Sequence, residues 1–211
     1  MNRIAKYLVL ALMSAGLSVV SFAQDFSLKG RSALELNFGL WGGASATNTI
    51  AVTGIRSEAK TSGFTGSLLY AHWLHENLSV TLSAGFLAGE ASSTVSASGV
   101  SQHASSVVPL LIGVKFYLPD PAPEDAARPF LSAAVGPYIG MEAKNTALSQ
   151  QAFSETAFGG RLGVGIDFLL SQHFTLGASA CYNLMSDFAT PVGARRNYNG
   201  AEFSLGLGYI F

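Results

Sequence analysis

Between Ser106 and Pro119 the chain reads SVVPLLIGVKFYLP, and Val108, Leu110, Ile112, Val114, Phe116 and Leu118 fall at every second position. The alternate positions include Pro109, Gly113, Lys115 and Tyr117. Successive side chains of a strand point to opposite faces, whereas a helix would scatter this set around its circumference. GGRLGVGIDFLL repeats the pattern, with Leu162, Val164, Ile166 and Phe168 opposed to Arg161, Gly163, Gly165 and Asp167. In HFTLGASACYNL, Phe174, Leu176, Ala178, Ala180, Tyr182 and Leu184 oppose Thr175, Gly177, Ser179, Cys181 and Asn183. A soluble sandwich would turn its apolar face to the core and carry Lys, Glu and Thr outside. Here the second face is small, with isolated charges, and only 12% of the 211 residues are charged against 49% apolar. Such a face suits a narrow, filled lumen, which leaves the apolar face for lipid. In lipid every backbone polar group must be paired within the protein, so strands span only as a closed barrel.

Eight such stretches are predicted, near 33–45, 63–75, 78–90, 105–118, 129–142, 156–170, 173–187 and 200–211. Their connections alternate. HEN at 75–77 and SQH at 171–173 are tight, whereas 46–62, 91–104, 143–155 and 188–199 are long and rich in Ser, Thr, Ala and Asn. Short turns toward the periplasm and long loops outward are the habit of an outer-membrane barrel, and both chain ends then fall on the short-turn side. PDPAPEDAAR at 119–128 reads as a solvated periplasmic loop. Phe116, Tyr117, Phe130, Phe168, Phe174, Tyr209 and Phe211 cluster near the short-turn ends, as an interfacial aromatic girdle would.

Residues 1–23, MNRIAKYLVLALMSAGLSVVSFA, place Arg3 and Lys6 before an apolar run and end in small residues, the pattern of a cleaved signal peptide. The barrel domain is then 24–211. Twelve Lys and Arg against thirteen Asp and Glu give no basic excess for a nucleic acid or another polyanion. Cys181 is the sole cysteine, which excludes an internal disulfide framework.

The segments LLIGVKFYLP…ARPFLSAAVGPYIG, FGGRLGVGIDFLLSQHFTLGASACYN and AEFSLGLGYIF resemble the outer-membrane β-barrel domain family, the small eight-stranded group related to the OmpA, OmpX and OmpW barrels. The resemblance implies an all-β, eight-stranded antiparallel up-and-down transmembrane barrel in the cell outer membrane. It also implies that outer-membrane lipid is its surroundings, that it is monomeric, and that the barrel-assembly machinery inserts it. Gly206, Tyr209 and Phe211 match the terminal aromatic signal that this machinery reads. Cys181 departs from the family, whose members often carry an inward Arg before the YN pair.

Glu35, Lys115, Arg161, Asp167 and Glu202 are expected to face inward. An eight-stranded barrel is only wide enough for its own side chains, so buried charges must pair into a network that fills it. Glu90, His103 and Ser105 or Ser106 hold the residue types of an acid, base and nucleophile, in a loop so rich in serine that their proximity carries little information. Gly163-Val164-Gly165 lacks the third glycine and following helix of a nucleotide fingerprint. No His, Cys and carboxylate grouping has metal-ligand spacing, and no cofactor is implied. The sequence therefore points to a non-enzymatic barrel with a structural or surface-interaction role through four outer loops. The alternatives are a narrow channel or transporter for small molecules, apolar ones included, and a lipid A-modifying enzyme.

Overall fold

The computed structural model describes residues 27–43, 46–49, 56–59, 62–96, 99–119, 127–146, 149–193 and 195–211; the leader expected over 1–23 lies outside them. Ten strands run β1 Ser32–Gly43, β2 Ala46–Thr49, β3 Arg56–Ala59, β4 Ser62–His75, β5 Leu78–Ser96, β6 Gly99–Tyr117, β7 Ala127–Thr146, β8 Ser149–Leu169, β9 Phe174–Met185 and β10 Gly200–Ile210. Eight close a barrel in the order β1-β10-β9-β8-β7-β6-β5-β4, every neighbouring pair antiparallel. Strands β2 and β3 form a separate hairpin within the first long connection. Closure is made by β1 against β10, from Ala33 opposite Ile210 to Gly43 opposite Gly200. Reciprocal backbone bonds between Ser32 and Phe211 extend it, so the last strand has no open edge there.

Alternation sorts the side chains as expected. Leu34, Leu36, Phe38, Leu40, Phe203, Leu205, Leu207 and Tyr209 stand exposed on the outer wall, while Glu35, Trp41, Glu202 and Ile210 are buried within. The outer aromatic set at the short-turn end holds Phe116, Phe168, Phe174, Tyr209 and Phe211, joined by Tyr70. Tyr117 and Phe130 do not belong to it. Both point inward and are buried, because each occupies the inward phase of its strand. With Leu28, Ala33, Leu69, Ala71, Trp73 and Ile210 they form an apolar plug across that end of the lumen.

Three of the long connections differ from expectation. Residues 91–104 and 143–155 are largely strand: β5 and β6 stay paired to Ser96 opposite Gly99, and β7 and β8 to Thr146 opposite Ser149. These four strands run 19 to 21 residues, roughly twice the 9–11 that a tilted spanning strand requires. Past the lipid neither face has to be apolar, so the period-two signal fades while the backbone ladder continues. The last connection, 186–199, turns inward. Its Phe188, Val192 and Tyr198 are buried against Trp41, Leu87, Val107, Leu111, Tyr138, Ala157 and Met185, filling the mouth opposite the short turns. Gly140 makes room: a Cβ there would lie 2.6 Å from Val192 Cγ2 and 3.0 Å from Phe188 Cζ. Gly193, at φ +64°, turns the strap within the mouth.

Candidate functional site

All five charged residues expected inside the barrel are there, and they gather into two layers between the apolar plugs. Glu35 on β1, Lys115 on β6 and Asp167 on β8 are inward positions of their strands, so the same alternation that sets the lipid face brings them to the axis. Lys115 Nζ donates to Glu35 Oε1 and Oε2 at 3.0 and 2.9 Å, and to Asp167 Oδ2 at 3.4 Å. Tyr117 OH donates to the same Asp167 oxygen at 2.9 Å, and the ammonium lies 4.6 Å from the Phe130 ring centroid. One buried cation thus faces two buried carboxylates. The tyrosine hydroxyl and the ring face supply the remaining stabilisation.

The second layer lies toward the mouth. Arg161 Nη1 on β8 stands 3.6 Å from Glu202 Oε1 on β10, and Arg161 Nη2 donates to Ser83 Oγ at 3.3 Å. Glu202 also accepts from Thr65 Oγ1 at 3.3 Å and Asn183 Nδ2 at 2.9 Å. Tyr138 OH completes the layer by donating to Asn183 Oδ1 at 3.0 Å. Asn183, Thr65, Ser83 and Tyr138 carry no charge that would single them out in the sequence; their inward phase does. Between the layers a cavity of about 50 Å³ is lined by Glu35, Lys115, Arg161, Asp167, Cys181 and Glu202 among others. That space suffices for a few water molecules and no more. Cys181 sits on this lining with Arg161, its sulfur against Gly163.

At the short-turn end Glu76 holds the segment before β1. It accepts from Ser27 Oγ, from Leu28 N at 3.0 Å and from Lys29 N at 3.3 Å, while its carbonyl accepts from Arg128 Nη2. Partial desolvation pushes this carboxyl up, but the three hydrogen bonds and the Arg128 charge outweigh it, leaving Glu76 below the ordinary carboxylate value. Leu28 is thereby seated in the plug.

The assembly-signal residues lie together on β10 and its end. Gly206 faces inward opposite Asn37, whereas Tyr209 and Phe211 face outward with ring centroids 6.4 Å apart. Tyr209 also contacts Phe174 and His173 at 5.4 and 5.9 Å. The catalytic combination considered above lies partly outside the described residues. Ser105 is buried in the mouth and Ser106 takes the opposite phase, while the side chains of Glu90 and His103 lie outside the described residues. Alternation does place another pair on the outer wall: Ser32 Oγ is 3.0 Å from His72 Nδ1 and 2.9 Å from Tyr70 OH. A nucleophile needs a base, an orienting group and oxyanion donors. Ser32 N is already bonded to Phe211 O, and among the described residues no carboxylate is hydrogen-bonded to His72. Nor do three His, Cys, Asp or Glu side chains gather as metal ligands among the described residues.

Comparison with known proteins agrees with this architecture. No curated protein matches the chain. Among solved structures it is similar to Neisserial surface protein A, at 12% identity and TM-score 0.58 over 87% of this chain and 98% of that one. It is also similar to Ail, the attachment invasion locus protein of Yersinia pestis, at 15% identity and TM-score 0.50 over 87% and 99%. OprG from Pseudomonas aeruginosa matches at 13% identity and TM-score 0.53 over 88% and 97%. Likeness at such identities is likeness of fold. The model of the outer membrane protein β-barrel domain, however, matches residues 8–211, and the chain therefore belongs to that family.

Proposed function

We propose that this is a non-enzymatic outer-membrane barrel that acts through the surface it raises outside the membrane, not through its lumen. The observation that carries this reading is the wall formed by β5, β6, β7 and β8. Pairing of β4 with β5 ends at Thr65 opposite Leu87, and pairing of β8 with β9 ends at Gly159 opposite Met185. The four strands between continue beyond both points, so the wall has two edges with no strand partner among the described residues. Free N–H and C=O groups along an edge recognise an extended segment of another protein through the backbone itself. The lumen, by contrast, is filled by two plugs and two charged layers.

The test compares cells carrying the full chain with cells whose β5–β6 and β7–β8 hairpins are shortened to the barrel rim. Adhesion to immobilised extracellular-matrix and serum proteins is expected to fall with the shortened wall while the barrel stays heat-modifiable on gels. Undiminished adhesion overturns the reading. A lipid A mass shifted by one acyl chain on expression would instead make the protein an enzyme.

Insertion belongs to the same proposal. Gly206, Tyr209 and Phe211 serve as the address read by the barrel-assembly machinery, and the mature chain works as a monomer surrounded by outer-membrane lipid.

A further inference from the structure

The strap at the mouth reaches across the barrel. In the ring order β1 and β7 stand four places apart, which in an eight-membered ring is diametrically opposite. Gly193 N donates to Glu142 Oε2 on β7 at 3.0 Å, whereas the Arg195 guanidinium lies over the Trp41 ring on β1, 5.3 Å from its centroid. The turn that aims Arg195 is closed by reciprocal backbone bonds between Val192 and Arg195 at 2.9 and 3.3 Å.

Two buried donors meet at the β1 side. Arg195 is 8% exposed and Trp41 1%, yet Arg195 Nη2 and Trp41 Nε1 have no acceptor among the described residues. The carboxylate cross-strand from Trp41 is Glu202, whose oxygens already receive Arg161, Thr65 and Asn183. Glu142 engages the strap from the opposite wall. The ring under the guanidinium offsets part of its charge but supplies no lone pair for an N–H. A buried donor left unmet keeps its full desolvation penalty, which is larger still for a charged group. A mouth that brings two of them together is built around an acceptor.

We infer that the mouth holds an oxyanion site, in which a carboxylate, sulfate or phosphate group accepts from Arg195 Nη2 of the strap and Trp41 Nε1 of β1. Such a group offers a separate oxygen to each donor and the negative charge that the guanidinium lacks. Because one donor rides on the strap and the other on the wall, the bound group staples the strap shut. A free inorganic anion and an anionic group carried on a surface glycan present the same chemistry.

The purified full-length barrel in detergent micelles, treated with trypsin at constant ionic strength, tests the site. Arg196 is exposed on the strap, so cutting there reports strap opening. An anion bound only to the closed form slows cutting by one plus the ratio of its concentration to its dissociation constant, about a hundredfold at one hundred times that constant. Inorganic phosphate and a sulfated polysaccharide form separate arms: protection by phosphate identifies a small free anion, and protection by the polysaccharide alone a glycan-borne group. Trp41→Phe keeps the ring but removes the N–H, and Arg195→Gln removes the charge. Both variants are expected to lose the protection while remaining heat-modifiable on gels. No protection in either arm, or equal protection in wild type and both variants, overturns the site and leaves water as the acceptor.

Discussion

Lys115 shows how much a single inward position carries. Its ammonium is the partner of both Glu35 and Asp167, so Lys115→Met leaves two carboxylates without their cation beside a cavity with room for only a few water molecules. Removing one partner of a buried ion pair costs about 3–5 kcal/mol. Urea unfolding in micelles is expected to show a loss of that size, with much of it recovered in the triple variant that also carries Glu35→Gln and Asp167→Asn. A Lys115→Met barrel as stable as wild type would mean that the layer is hydrated. Glu76 answers to pH. Its folded value lies below the ordinary carboxylate value, so its contribution is complete above that ordinary value and is lost as pH falls through the depressed one. Hydrogen-exchange protection of Leu28 N and Lys29 N, taken relative to the intrinsic rate at each pH, should fall across that acid window and show no such step in Glu76→Gln. Protection that is unchanged across the window in wild type would remove Glu76 as the latch.

Strands were legible where one face meets lipid. The predicted segments from 63–75 to 200–211 agree with β4 to β10 within a few residues at the short-turn end, because the turns there interrupt the apolar phase abruptly. Their outer ends were not legible. In β5 to β8 the Ser, Thr and Gln-rich continuation loses its apolar phase although its hydrogen bonds persist, so composition alone reads it as loop. The strap was hidden for the converse reason. Its apolar residues Phe188, Val192 and Tyr198 are separated by Thr190, Pro191, Gly193 and Arg196, which break any strand pattern, and only Gly140 and the small inner wall of the mouth give them a place. Gly140→Leu is therefore expected to expel the strap, speeding its tryptic cleavage several-fold without loss of the heat-modifiable barrel. At β10, deletion of Phe211 removes an outward ring of the aromatic cluster and, on the proposed address, lowers the assembled fraction in outer-membrane preparations more than an equal cut at the β5–β6 tip. Normal assembly of that deletion would contradict the address.

For the whole molecule the consequence is a barrel shut at three levels: an apolar plug at the short turns, two charged layers around a small cavity, and a strap in the mouth. Planar-bilayer recording of the purified protein should show no steady conductance, including after Gly140→Leu, since losing the strap leaves the other seals in place. Reproducible conductance in wild type would restore the channel reading. The sequence by itself determined that the chain is a lipid-facing barrel, which residues point outward and which five charges point inward, because alternation along a strand is a local property written two residues at a time. Only the tertiary structure decided which inward charges pair, that Tyr117 and Phe130 plug the lumen, that four strands rise past the rim, and that the last connection folds inside. Each of these depends on register between strands and on the space left at the axis, quantities that arise only when the ring is closed.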